Sequence, residues 1–150
     1  MGKPLRKTSR LRMGAFPPRY SFVLNPYVRE RFTKCPSCDA STRIRKLPLV
    51  VHVDSFGLVL LRKTCRLCIV CEVLIAHEAE MNHVIGGLAP HSGARVEYLV
   101  LGTLGSRTWR EGLCGRVTIQ EVKDDMADFK AYVQVSITPR HWSRERKAAD

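Results

Sequence analysis

The 150-residue chain has no apolar run near the roughly 18 to 20 residues that a membrane-spanning helix needs; its longest, Phe56 to Leu61, is strand-sized. Its first 20 residues lack an apolar h-region, so a secretory leader is not expected. Arg6 stands where a myristoylation signal needs Ser or Thr. Signatures of catalysis are missing too. There is no Gly-x-Ser-x-Gly, and Gly87 and Gly93 are not at Walker spacing. His77-Glu78-Ala79-Glu80-Met81 opens like a metalloprotease helix, but Met81 stands where the second histidine belongs. The expectation is a soluble, cytoplasmic protein without membrane association or enzymatic activity.

Acidic residues are scarce at the front. Residues 1–46 hold 12 Lys/Arg against Glu30 and Asp39, a net +10 out of the chain's +11. The remaining 104 residues carry only +1. A nearly neutral body with a basic front end suits a polyanionic partner, nucleic acid first. The plainer alternative is a solubilising tail. The candidate phosphate-binding residues are Arg6, Lys7, Arg10, Arg12 and Arg19 in the lead-in, with Arg43, Arg45, Lys46, Arg62, Lys63 and Arg66 further on.

Residues 1–15, basic and acid-free, read as a disordered tail. Their Arg-rich character also resembles a transit peptide, but Pro4, Pro17 and Pro18 break the helix one would need. Five of the 11 aromatics (Phe16, Tyr20, Phe22, Tyr27 and Phe32) follow within 17 residues. They read as an extended lead-in packed on the body. Phe22 and Phe32 are expected in the core, and Tyr20 and Tyr27 are open to base stacking. Leu49, Val51 and Val53 alternate with Val50, His52 and Asp54, and the turn Asp54-Ser55-Phe56-Gly57 returns the chain through Leu58 to Leu61. This hairpin would lay its two basic flanks side by side as one patch.

Further strands are expected at 72–77, at 98–102 and around Trp109. A helix at 78–89 would carry Met81, Val84, Ile85 and Leu88 on one face. Ile119, Val122, Met126, Phe129 and Val133 repeat at helical spacing, with Asp124, Asp125 and Asp128 on the solvated side; a strand over Ala131 to Ile137 is the alternative.

The strongest signal is cysteine. Cys35-Pro36-Ser37-Cys38 and Cys65-Arg66-Leu67-Cys68-Ile69-Val70-Cys71 hold five of six; Cys114 reads as a small buried hydrophobe. Without a secretory signal, such pairs favour metal over disulfide. Two knuckles offer four soft ligands, the donor set of tetrahedral Zn²⁺. Lys34, Arg62, Lys63 and Arg66 nearby would help keep the thiols ionised. The preferred set is Cys35, Cys38, Cys68 and Cys71, with Cys65 as the alternative ligand, because Cys38-Asp39 and Cys71-Glu72 then match. Cys-x-x-Cys-x-x-Cys also opens like an iron–sulfur run, but Glu72-Val73 follows where a further cysteine and proline belong. His52 and His77 lie close by as half-buried histidines or as outer or replacement ligands.

Residues 33–77 resemble the zinc-ribbon group, in which two Cys-x-x-Cys knuckles hold a metal and antiparallel strands run between and after them. Zinc ribbons occur in transcription, translation, DNA-processing and purely structural settings. The expected fold is α+β: a small antiparallel sheet built on the ribbon, with one or two packed helices. The expected domains are a disordered basic tail at 1–15, one zinc-ribbon-containing domain at 16–138 and a frayed tail at 139–150. The expected function is zinc-stabilised binding of RNA or DNA, with a zinc-stapled protein-interaction subunit as the alternative.

Overall fold

The alternating β-branched residues of 43–68 form one long hairpin, and the other described elements are arranged about it. The computed structural model describes residues 4–5, 12–54, 56–87, 96–113, 115 and 117–135. The elements are β1 (Pro4–Leu5), β2 (Ser21–Asn25), β3 (Arg43–Val53), β4 (Gly57–Cys68), β5 (Val73–His77), α1 (Glu78–Gly86), β6 (Tyr98–Leu104), α2 (Ser106–Leu113), α3 (Ile119–Asp124), β7 (Met126–Asp128) and β8 (Ala131–Val133). Gly57 closes the hairpin turn with a φ of 109°, a left-handed value that a side chain would strain.

The strands form a single sheet in the order β1-β8-β2-β5-β4-β3-β6-β7. It is larger than the small antiparallel sheet expected, and it is mixed, because β2 runs parallel to both β5 and β8. The extended lead-in expected to pack onto the body therefore enters the sheet as an interior strand at Ser21–Asn25. Strands β7 and β8 lie far apart in that order, yet only Phe129 and Lys130 separate them in the chain. The sheet must curl until its ends approach. Phe129 N donates to Leu101 O and Lys130 N to Tyr20 O across that seam.

Side chains alternate through the curled sheet, giving an inner and an outer cluster. The inner one holds Phe22, Leu49, Val51, Leu74, Met81, Ile85 and Phe129. Phe22 and Phe129 stack at 4.7 Å, and Tyr132 meets both edge-on. The outer one packs Val23, Cys68, Val73 and Ile75 against Phe32 and Cys35 of the 26–42 segment. Val50 is buried as fully as Val51, because β7 and α3 supply Met126 and Val122 to cover its face.

Three expectations fail for physical reasons. Residues 106–113 form a helix, not a strand. Trp109 N donates to Gly105 O, Thr108 Oγ1 to the Asp125 carboxylate, and Arg107 pairs with Glu111 one turn on. The helical stripe at 118–135 continues only to Asp124. It opens with a capping box between Thr118 and Glu121, and then pairing with β6 draws Met126 to Asp128 into the sheet. Asp128, expected on a solvated face, is 2% exposed and accepts from Met13 N and Gly14 N. That contact also pins residues 12–15, expected as tail, to the body. The expected tail at 139–150, together with Leu88 and Cys114, lies outside the described residues.

Candidate metal centre

The hairpin carries the chain from one cysteine knuckle to the other. β3 begins five residues after Cys38, and β4 ends at Cys68. Lys34 and Ser41 bridge the base of the first knuckle, where Cys35 N donates to Ala40 O and Asp39 N to Cys35 O. The second knuckle is the turn from β4 into β5. Antiparallel pairing of Cys68 with Val73 fixes its span.

The two turns converge. The Sγ atoms of Cys35, Cys38, Cys68 and Cys71 all lie within 4.8 Å of one another, and Cys38 and Cys68 are 3.5 Å apart. A tetrahedron of Zn–S bonds near 2.3 Å places its sulfurs about 3.8 Å apart, a value between the 3.5 Å of Cys38–Cys68 and the 4.8 Å limit of the cluster, so small adjustments close the site on one ion. Ser37 N donates to Cys35 Sγ at 3.3 Å and Cys71 N to Cys68 Sγ at 3.4 Å, so backbone N–H groups of each knuckle orient its first sulfur.

The thiols share protons unequally. Burial pushes Cys35 up. A hydrogen bond from the backbone at Ala40 draws Cys38 down. Cys71 is pushed up to about 12, chiefly by its hydrogen bond to Cys38. The lowering comes from backbone N–H groups and, at Cys38, from hydrogen bonds with the neighbouring thiols as well, not from the nearby lysines and arginines. Four thiolates crowded together repel, and a soft divalent cation relieves that repulsion. The donor set thus suits a metal ion.

Cys65 is not part of the cluster, correcting its candidacy as alternative ligand. Strand alternation turns it to the inner core, where it is 3% exposed and its Sγ lies 3.6 Å from Lys63 O. Burial pushes its thiol up to about 12. His77 Nε2 lies 2.8 Å from Glu30 O, and exposed His52 lies 3.8 Å from Asp54. Neither joins the four sulfurs.

The basic residues divide. In the hairpin register Arg43 faces Leu67 and Arg45 faces Cys65, whereas Lys46 faces Thr64 and Arg66 faces Ile44. Cross-strand partners share a face, so Arg43 and Arg45 belong to one side and Lys46, Arg62 and Arg66 to the other. The expected single patch is a basic end of the hairpin presented on two faces. Lys63 leaves the set of free cations: it is 8% exposed and bonded to Glu80 and Thr64 O. Arg19 lies over the Tyr20 ring and 3.9 Å from Glu72. Tyr20 is buried and so unavailable to stack on a base. Among the described residues, Arg43, Arg45, Lys46, Arg62 and Arg66 make no ion pair. Arg12 is exposed, and Arg6, Lys7 and Arg10 lie outside the described residues.

No described helix is long and apolar enough to cross a membrane. Comparison with protein-family models, with curated proteins and with solved structures found no match.

Proposed function

We propose that this chain is a non-catalytic nucleic-acid-binding module whose two knuckles are stapled by one Zn²⁺. The observation that carries the reading is the set of four arginines and one lysine (Arg43, Arg45, Lys46, Arg62 and Arg66) that have no carboxylate partner among the described residues and lie at the cysteine-proximal end of the β3–β4 hairpin. Cations left unpaired on a rigid hairpin are poised for phosphates, and the basic front end of the sequence adds long-range attraction. Four sulfurs fill a tetrahedral ion's coordination, which suits a structural role for the metal. Among the described residues no helix carries a row of base-reading side chains, so the expected binding has little sequence preference.

The test is binding of the zinc-loaded chain to single- and double-stranded RNA and DNA across a salt series. If the five hairpin cations meet phosphates, log affinity falls with log salt at a slope of about −3.5 for single strands and about −4.5 for duplex. Arg43→Gln with Arg45→Gln flattens the slope by about 1 to 2. Absence of binding to all four nucleic acids at low salt overturns the reading and favours a protein partner.

A further inference from the structure

Where β5 stops pairing with β4, helix α1 takes over the space beside it. β5 pairs with β4 only at Arg66 to Cys68, so on the side away from β3 the part of β4 around residues 62–64 meets α1, where Lys63 bonds Glu80, rather than a strand. Between them lies an open cleft of about 440 Å³, lined among others by Lys46, Arg62, Lys63, Thr64, Glu80 and His83.

Its chemistry is one-sided. Lys46 is opposite Thr64 and Arg62 is opposite Pro48, so Lys46 and Arg62 are diagonal neighbours on one face, close enough for both charged ends to meet one group. Neither has a carboxylate partner among the described residues. The carboxylate of the lining, Glu80, is already bonded to buried Lys63, whose Nζ also donates to Thr64 O. That pair holds the wall of the cleft and cancels its own charge. What remains toward an entering group is an ammonium, a guanidinium, a hydroxyl and an imidazole. These are donors in excess, carrying two uncompensated positive charges. A compact dianion with several acceptor oxygens satisfies them, and a neutral or cationic ligand does not.

We propose that this cleft binds a phosphomonoester group, with Lys46 and Arg62 as its charge partners and Thr64 and His83 as further donors. The group has two sources, the phosphorylated end of a nucleic-acid strand or a free mononucleotide. The first source rests on the proposed function; the second does not.

The experiment measures binding of the zinc-loaded full chain to three single strands of one sequence, bearing a 5′-phosphate, a 3′-phosphate or hydroxyls at both ends. Adenosine 5′-monophosphate and inorganic phosphate are titrated in parallel by calorimetry. One phosphorylated end is expected to tighten binding at least about tenfold over the hydroxyl strand. That advantage disappears in Arg62→Gln and in Lys46→Gln, both at exposed positions and each checked for an unchanged melting temperature. In Arg43→Gln the advantage stays, while all three strands weaken alike. Equal binding of the three strands, with no heat from either small phosphate, overturns the cleft and leaves nucleic-acid binding standing. Heat from adenosine 5′-monophosphate that Arg62→Gln abolishes, without binding of any strand, upholds the cleft for the free source and overturns the proposed function. No binding of any probe overturns both.

Discussion

Asp39 and Glu72 occupy the same place in the two knuckles: each follows its second cysteine, and each has a left-handed backbone, with φ of 66° and 57°. That conformation favours glycine, is tolerated by aspartate and is costly for glutamate. It turns the chain sharply away from the metal site, toward Ala40 in one case and into β5 in the other. Asp39→Gly is therefore neutral or stabilising. Asp39→Val and Glu72→Val each lower the unfolding free energy by about 1 to 3 kcal/mol. Glu72→Gly comes out near neutral, because relief of the backbone is offset by loss of its contacts with Lys130 at 3.2 Å and Arg19 at 3.9 Å. Denaturant unfolding of the zinc-loaded variants measures all four.

Cysteine replacement separates the metal site from the core. Cys71→Ser loses tight metal binding. Cys65→Ser keeps it and costs about 1 to 2 kcal/mol of stability, because a polar hydroxyl replaces a buried thiol. Metal content after dialysis, together with the melting temperature, gives both readings. Chelation of the parent should lower the melting temperature, since the knuckles cover the outer cluster of Phe32, Val73 and Ile75 and metal binding is coupled to folding.

The Asp128 carboxylate anchors the front of the domain. Asp128→Ala leaves Met13 N and Gly14 N without their acceptor and should cost about 2 to 3 kcal/mol. Gly14→Ala acts at the same contact from the other side, because a Cβ there runs into the carbonyl of Met126. Both variants should speed proteolysis near residues 12–16 before they abolish the fold. Timed digestion followed by mass spectrometry of the fragments detects this.

Alkaline pH reads Cys65. Its thiol ionises near 12 in the folded chain, raised from an ordinary value of 9.0. Between those values the unfolded chain gives up the proton and the folded chain keeps it, so stability falls as pH rises. The loss amounts to about 2 kcal/mol at a pH near 10.5. Cys65→Ala removes that component: its unfolding free energy falls less between pH 8 and 10.5 than that of the parent.

Much of this was legible in the residues, for definable reasons. The period-two run through Val53 and Gly57 revealed the hairpin, and matching the residues after Cys38 and Cys71 singled out the four clustered sulfurs. The same period-two logic, applied to Arg43 through Lys46, would have shown that these cations alternate faces. The stripe from Ile119 to Val133 misled because Met126 and Phe129 are apolar for the sheet, not for a helix. Local spacing holds no record of the long-range partners Gly102 and Leu101. Parallel pairing of β2 with β5 joins segments some fifty residues apart and leaves no local signature. Asp128 reads as a solvated acid until Met13 and Gly14 are folded against it.

The central claim is that one zinc ion joins the two knuckles, and native mass spectrometry of the full chain purified without added metal tests it most directly. The expected result is a colourless protein carrying one zinc per chain, unchanged in Cys65→Ser and metal-free in Cys71→Ser. A brown protein carrying iron and sulfide, or a metal-free parent that melts at the same temperature with and without added zinc, would contradict it.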